Sequence, residues 1–295
     1  MKVNIAPGRY IVAVSGGVDS MVLLSLLSKT KTIDIVVAHF DHGIRPDSHK
    51  DALLVKKTAQ SGGLKFELGE ASLGTAASED LARQVRYEFL YKLLERYEAN
   101  AIVTAHHQDD LIETAFINII RGTGPKGLVA IMNNPSIIRP LIPYTKKEII
   151  EYAIANKISW AEDQTNEDQK YLRNYIRSSV VSKMTVQDKR TVVITIKKAN
   201  DSINELQKLI SDISRKIIKD GSQIDRQAYA ALPTTVGKEL LYSWLKTAGA
   251  TDLDRKTINR LDLAIRTSSP GKKQDIKKGL RLDFTIQNAQ IINTL

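Results

Sequence analysis

The hexapeptide Ser15-Gly16-Gly17-Val18-Asp19-Ser20 puts two glycines, two hydroxyls and a carboxylate between an apolar run at residues 10–14 and a helical apolar pattern at 18–28. Glycines let the backbone turn tightly, and successive N–H groups at a helix N-terminus can cradle phosphate oxygens. Ser15 and Ser20 add hydroxyl donors. Asp19 is badly placed beside bare phosphate, so a cation is expected with it, Mg²⁺ with Asp19 among its ligands. The plainer alternative is a strand–helix turn that Asp19 or Ser20 merely caps.

A second group spans residues 105–114, Ala-His-His-Gln-Asp-Asp-Leu-Ile-Glu-Thr. If a helix starts at Asp109, Asp110 and Glu113 project from one face. Such a pair can hold Mg²⁺ or bind an ammonium, and Asp110 is the second candidate metal ligand. Asp109 could equally be a helix cap, and His106 and His107 packed side chains. A third group spans residues 39–48, His-Phe-Asp-His-Gly-Ile-Arg-Pro-Asp-Ser. Here Asp47 and Ser48 suit helix caps, while His42 and Arg45 have no such obvious duty. Arg83 and Arg86 lie three apart, Arg121 ends a helical pattern, and Arg173 and Arg177 are four apart. Arginine pairs bidentately with phosphate and stacks on bases. Lys272, Lys273, Lys277, Lys278 and Arg281 form a further basic stretch that could simply be solvated. Gly122, Gly124 and Gly127 match G-x-G-x-x-G but follow a helical pattern, so they are not a dinucleotide fingerprint.

The elements that must position these groups alternate. Strands are expected at residues 10–14, 33–40, 64–68, 101–105 and 137–142, the last interrupted by Pro140. Helices are expected at 18–28, 48–60, 79–98 and 109–120. That order predicts an α/β fold with a doubly wound, mostly parallel five-stranded sheet, its ligand site outside the carboxyl ends of the strands. Residues 186–220 hold no Gly or Pro and read as one long helix. Three shorter helices follow at 225–232, 234–248 and 254–267, then a hairpin of 280–284 with 290–292, its turn near Asn288. The expected division is a larger domain at 1–200 and a smaller, mainly helical domain at 201–295, ending in that hairpin.

Lys and Arg number 43 against 33 Asp and Glu, a net charge of +10. Residues 200–295 hold 16 of the basic and 11 of the acidic side chains, so the smaller part is the more basic per residue. Polyanions, nucleic acid first, are the expected partners. The absence of cysteine excludes disulfides, thiolate metal sites and a cysteine nucleophile, and fits a reducing compartment. The first ten residues do not resemble a targeting signal. The longest apolar stretches fall far short of the roughly 20 residues of a spanning helix, so a cytoplasmic protein with no membrane partner is expected.

The hexapeptide after the first strand resembles the pyrophosphatase loop of N-type ATP pyrophosphatases (PP-loop enzymes), which cleave ATP to AMP and pyrophosphate. Together with HFDHGIRPDS, ARQVRY, HHQDDLIET, RGTGPKGL, IIRPL, EDQTN and RNYIR, it resembles the bacterial tRNA(Ile)-lysidine synthetase family in motif order. The strong likeness covers residues 8–182, with a weaker one over 222–285. Some members carry an additional C-terminal domain, for which this length leaves no room. The resemblance implies ATP as cosubstrate, with Mg²⁺. ATP would adenylate carbon 2 of the wobble cytidine of an isoleucine tRNA with a CAU anticodon, and free L-lysine would then attack through its ε-amine. It implies Asp41, Asp110 and Glu113 as catalytic candidates, and Ser15 to Ser20, His39 and His106 as ATP-binding. Arg83, Arg86, Arg121, Arg173 and Arg177 would bind tRNA, with His42, Arg45 and His107 as further candidates. Lysine must shed a proton to attack; Asp110, Glu113, Asp41 and His42 all stay open as the base. The alternatives are another enzyme with the same loop, such as an ammonia-dependent synthetase, or a tRNA-binding relative without catalysis. Sulfur-transferring relatives generally use cysteines, which are lacking here.

Overall fold

Val12 and Ile11 have no exposed surface, because β1 (Gly8–Ala13) is the central strand of a sheet covered on both faces. The computed structural model describes residues 1–43, 48–74, 78–132, 134–161, 172–251, 253–277 and 279–294, with no side chain for Glu79. Arg45, Asp47, residues 162–166 and Lys278 therefore lie outside the described residues. The chain forms two compact units, Met1–Asn200 and Asp201–Leu295.

In the first unit β2 (Ile33–Asp41), β3 (Lys65–Glu70), β4 (Ala101–Val103) and β5 (Ile137–Ile138) join β1 in the order β3-β2-β1-β4-β5. Every neighbouring pair is parallel, as expected. Alternation along β1 splits the core. Tyr10, Val12 and Val14 pack with α1 (Val18–Leu27), α2 (Ser48–Ser61) and α6 (Lys146–Ala155) on one face. Ile11 packs with Val36, Ile102 and, from α3 (Glu79–Arg96), Leu90 and Leu93 on the other. The chain runs outward from β1 to β3 and then returns to place β4 on the free side of β1. That reversal opens a crevice at the carboxyl ends of β1 and β4. α4 (Gln108–Ile120) leaves from it, and α5 (Gly124–Leu128) follows directly. The G-x-G-x-x-G stretch therefore joins helix to helix. α7 (Leu172–Ser179) and the first half of α8 (Val186–Ile217) complete the unit. α8 is the uninterrupted helix expected from the sequence.

The second unit is mainly helical with antiparallel strands at its end, as expected, and its hairpin belongs to a larger sheet. Five antiparallel strands form a sheet in the order β6-β7-β10-β9-β8: β6 (Ile218–Lys219), β7 (Gln223–Asp225), β8 (Lys273–Lys277), β9 (Leu280–Phe284) and β10 (Asn288–Asn293). The expected β9–β10 hairpin is there, but its turn precedes Asn288, which already pairs with Asp225. The missed strands are short and polar; Lys273–Lys277 buries only Ile276. One signal could have found β6–β7. Asp220 and Gly221 have φ of +50° and +69°, the pair of left-handed residues that tight hairpins favour. α9 (Arg226–Ala230), α10 (Thr234–Thr247) and α11 (Arg255–Thr267) cover the sheet, burying Leu240, Trp244, Leu261 and Ile265 against Ile224, Leu282 and Phe284.

One polar group is locked inside this core. Tyr229 donates its hydroxyl to Asp262 Oδ1 at 2.8 Å, and Arg266 Nε donates to the same oxygen at 3.0 Å. Burial, together with the Asp262 carboxylate, pushes the Tyr229 phenol well above its ordinary range. Arg266 also ties the carbonyls of Ala230 and Leu232. Asp262→Ala leaves a guanidinium and a phenol without their acceptor, so it is expected to cost about 3–5 kcal/mol. Urea unfolding read at Trp244 measures this.

Candidate active site

The loop after β1 turns where Gly16 takes φ +94°, a conformation a side chain resists. A Cβ there would also meet the backbone and side chain of Asp51 at 3.4–3.7 Å. Ser20, 4% exposed, knits the turn. It accepts from the Ser15 N–H at 3.2 Å and donates to the Gly17 carbonyl at 2.9 Å. The Ser15 hydroxyl lies 3.2 Å from Ser20 Oγ, and the Ala161 N–H holds the Gly16 carbonyl at 2.9 Å. Gly17 then stands as N-cap of α1, with Val18 as its first residue.

This loop forms one side of a cavity of about 510 Å³, large enough for a nucleotide. Asp19, His39, Asp41, His42, Arg86 and His106 line it as well. The sequence's first and third groups thus share one chamber with part of the second. His39 is 3% exposed, with Nδ1 2.8 Å from the Val14 carbonyl. A carbonyl only accepts, so Nδ1 carries the proton and Nε2 remains an acceptor. Burial holds His39 below its ordinary pKa against that hydrogen bond. Burial, with Arg86 beside it, lowers His42. Burial lowers His106 to about 4; Asp110 opposes this, and Arg139, Arg83 and Arg86 add to it. Its Nδ1 sits 2.8 Å from Thr104 Oγ1. Burial resists ionisation of Asp41, but the Gly43 N–H at 2.9 Å and the Ser48 hydroxyl overcome it and keep the carboxyl below its ordinary range.

Beside the chamber runs a chain in which acidic and basic side chains alternate. Lys146, the first residue of α6, places Nζ 2.6 and 2.7 Å from the two oxygens of Asp19. His107 Nε2 lies 3.8 Å from Asp19 and 3.4 Å from Asp110. The Asp110 carboxylate also accepts the His107 backbone N–H at 2.9 Å. Arg177 on α7 lies 3.7 Å from Asp110 and grips Glu113 with Nε at 2.7 Å and Nη2 at 2.9 Å. Glu113 is 1% exposed; burial pushes its carboxyl up while the Arg177 fork pulls against that. Burial likewise opposes ionisation of Asp110, and His107, His106 and Arg177 overcome it. The Glu113 hydrogen bonds raise Arg177 in turn.

Several sequence expectations shift. Asp109 is not the N-cap of α4. His107 is, and Asp109 lies in the first turn, held by Lys189 Nζ of α8 at 2.9 Å. The sequence groups Arg177 with RNA-facing arginines, yet its guanidinium is committed to Glu113 and Asp110. Arg173 shares α7 and acts on Glu113 through its charge. Arg121 caps the far end of α4, about 12 Å along the helix from Glu113 at 1.5 Å per residue. Asp19 holds an ammonium, and among the described residues no three His, Asp or Glu side chains are grouped to hold a metal. Lys146 and Lys189 carry no signal in the sequence, and Arg139, though it lies in the IIRPL motif, is given no role there. The T-x-x-E capping box at Thr145 marks the start of α6, but nothing local links Lys146 to Asp19.

The PP-loop domain family matches residues 2–184. A protein of Francisella tularensis subsp. novicida named tRNA(Ile)-lysidine synthase is 33% identical over 298 residues, covering 97% of this chain and 74% of that protein. One of the same name from Thermotoga maritima is 39% identical over 195 residues, covering 61% of this chain and 47% of that protein. Among solved structures, the U34-tRNA thiolase NcsA from Methanococcus maripaludis with its [4Fe-4S] cluster superposes with a TM-score of 0.56. It is 15% identical and covers 66% of this chain and 73% of that one, a likeness of fold.

The lowered histidines set an acid limit. An unfolded histidine takes a proton near pH 6.5, whereas folded His39, His42 and His106 resist it. Stability is therefore whole above about pH 6.5 and drains as pH falls towards 4, by about 1.4 kcal/mol per pK unit of difference. Melting temperatures between pH 8 and 4 should fall earlier than carboxylates alone dictate, and His106→Gln should flatten the slope.

Proposed function

This chain belongs to the tRNA(Ile)-lysidine synthase family of PP-loop proteins, and from that premise we propose how its residues share the reaction. It is an ATP-using ligase of tRNA modification that forms a carbon–nitrogen bond. Among the described residues no helix is long and apolar enough to cross a membrane. We take its substrates as an isoleucine tRNA with a CAU anticodon, ATP and free lysine, met in the cytoplasm.

In the first step the cytidine O2 attacks the α-phosphorus of ATP. An O–P bond forms, the bond to the β-phosphate bridge breaks, and pyrophosphate leaves. The Ser15–Ser20 loop offers its N–H and hydroxyl donors to that leaving group, where charge develops. His39 and His106 stay neutral and flank the nucleotide without adding charge. A Mg²⁺ carried in with ATP would have Asp19 and Asp110 as its candidate ligands. One or two carboxylates plus phosphate oxygens are its usual ligands, and its chemistry there is to neutralise phosphate charge.

In the second step the lysine ε-amine attacks carbon 2. The C–N bond forms, the C–O bond to AMP breaks, and AMP leaves with the electron pair. Lysine arrives as an ammonium and must lose a proton. Asp110 and Glu113 supply the anionic pocket, with Arg177 as the positioning residue that fixes Glu113. Asp41, ionised in the chamber, is the candidate base. Arg83, Arg86, Arg121 and Arg173 remain our candidates for holding the RNA, and the 201–295 unit for its wider grip. His42 lines the chamber, and His107 lies between Asp19 and Asp110.

The observation that carries this reading is that Asp19 belongs to both the phosphate-loop chamber and the charge chain ending in Glu113. One site can then serve both a nucleotide and an ammonium. Isotopically labelled lysine, ATP and an unmodified transcript of the tRNA should yield labelled RNA. Asp110→Asn should lower incorporation about a hundredfold, chiefly through KM for lysine. Pyrophosphate release with ammonia and a nucleotide, and no labelled RNA, would overturn the reading.

A further inference from the structure

We propose that Lys189 and Asp109 form a strut that fixes the start of α4 for lysine transfer, which makes Lys189 a positioning residue of the reaction. This rests on the reading of Asp110 and Glu113 as the pocket for the lysine ammonium. Asp109 belongs to the same sequence group as those two acids, yet the two steps give it no part, and it does not line the chamber. Its side chain, 13% exposed, takes the ammonium of the equally shielded Lys189 at 2.9 Å. Its other oxygen is buried with no donor in reach among the described residues. Asp109 therefore faces into the protein, and its charge is answered from α8.

Two clamps hold the beginning of α4. Asp109 and Glu113 are four residues apart and share one side of the helix. Arg177 grips Glu113 from α7, and Lys189 grips Asp109 from α8. Asp110 stands between the two grips. A helix pinned at one point can pivot about it, whereas one pinned a turn apart cannot, and a small misplacement of a binding group is costly in rate. The start of α8 is itself fixed. The Asp188 carboxylate accepts from the Thr185 N–H at 3.1 Å and from its hydroxyl at 2.7 Å, while Thr185 Oγ1 accepts the Asp188 N–H at 3.1 Å. Lys189 is half-buried between the exposed Asp188 and Arg190. Val193 and Ile196, further along the same face, are buried. Apolar packing thus seats α8 without the ion pair, and burying that pair costs desolvation. Its place beside Asp110 gives it a use. The chamber takes no lining residue from α4, so the nucleotide side does not depend on the strut.

The test uses full-length Lys189→Met, which keeps an apolar stem and drops the charge, with a transcript of isoleucine tRNA with a CAU anticodon, ATP and labelled lysine. The KM for lysine should rise about tenfold, while the rate of AMP transfer to the RNA stays as in the wild type. Lys189→Arg should restore most of the lysine affinity. Asp109→Asn should show the same split, and the double variant Asp109→Asn/Lys189→Met should be no worse than either single one, since both remove one interaction. An unchanged KM for lysine in Lys189→Met would refute the strut, and so would a proportional loss of AMP transfer or losses that multiply in the double variant. If Lys189→Met does not fold, Asp109→Asn/Lys189→Gln takes its place, with no buried charge left unpaired: weaker lysine use at normal AMP transfer supports the strut, and unchanged lysine use refutes it. Wild-type lysine incorporation decides the enzyme reading separately, so the strut can fail while that reading stands.

Discussion

Four carboxylates crowd the carboxyl edge of the parallel sheet: Asp19, Asp109, Asp110 and Glu113. Much else at the site follows from giving each of them a basic partner. Unpaired, such a group would take up protons and lose its charge. Here each acid has a basic partner: Lys146 for Asp19, Lys189 for Asp109, His107 for Asp110 and Arg177 for Glu113. Three of those partners sit on α6, α7 and α8, which the chain reaches only after the sheet is complete. The acidic end of α4 can therefore take its final form only once the later helices have docked.

The same arrangement separates two electrostatic environments a few ångströms apart. The chamber beside the Ser15–Ser20 loop is lined by histidines whose protonation burial disfavours. The chain from Asp19 to Glu113 is charged and hydrogen-bonded, suited to a cation. Asp19 connects the two. In the ligand-free protein its negative charge is met by the ammonium of Lys146, which shows that this carboxylate accepts an amine cation with good geometry.

The sheet, its strand order and the place of the site were legible because they rest on local patterns. β-branched runs alternate with helical spacing, and Ser15 to Ser20 carries its turn chemistry in its own letters. The His106–Glu113 group was legible as chemistry but not in its pairing. Arg177 looked like an RNA contact because an arginine on a short helix gives no sign that it faces Glu113, 64 residues earlier. Lys146 was invisible for the same reason, reaching Asp19 across 127 residues. In the second unit β6 and β7 were missed because strands of two and three residues show no period, and β8, within the period-two stretch from Lys272, was not singled out because it buries only Ile276.

The central claim is a division of labour, with nucleotide chemistry at Ser15–Ser20 and the amine at Glu113. The most direct measurement separates the two half-reactions in Glu113→Gln. With α-phosphate-labelled ATP and the tRNA transcript, this variant should still transfer AMP to the RNA and should accumulate that adenylate when lysine is added. If adenylation of the RNA disappears together with lysine transfer, the division of labour is contradicted.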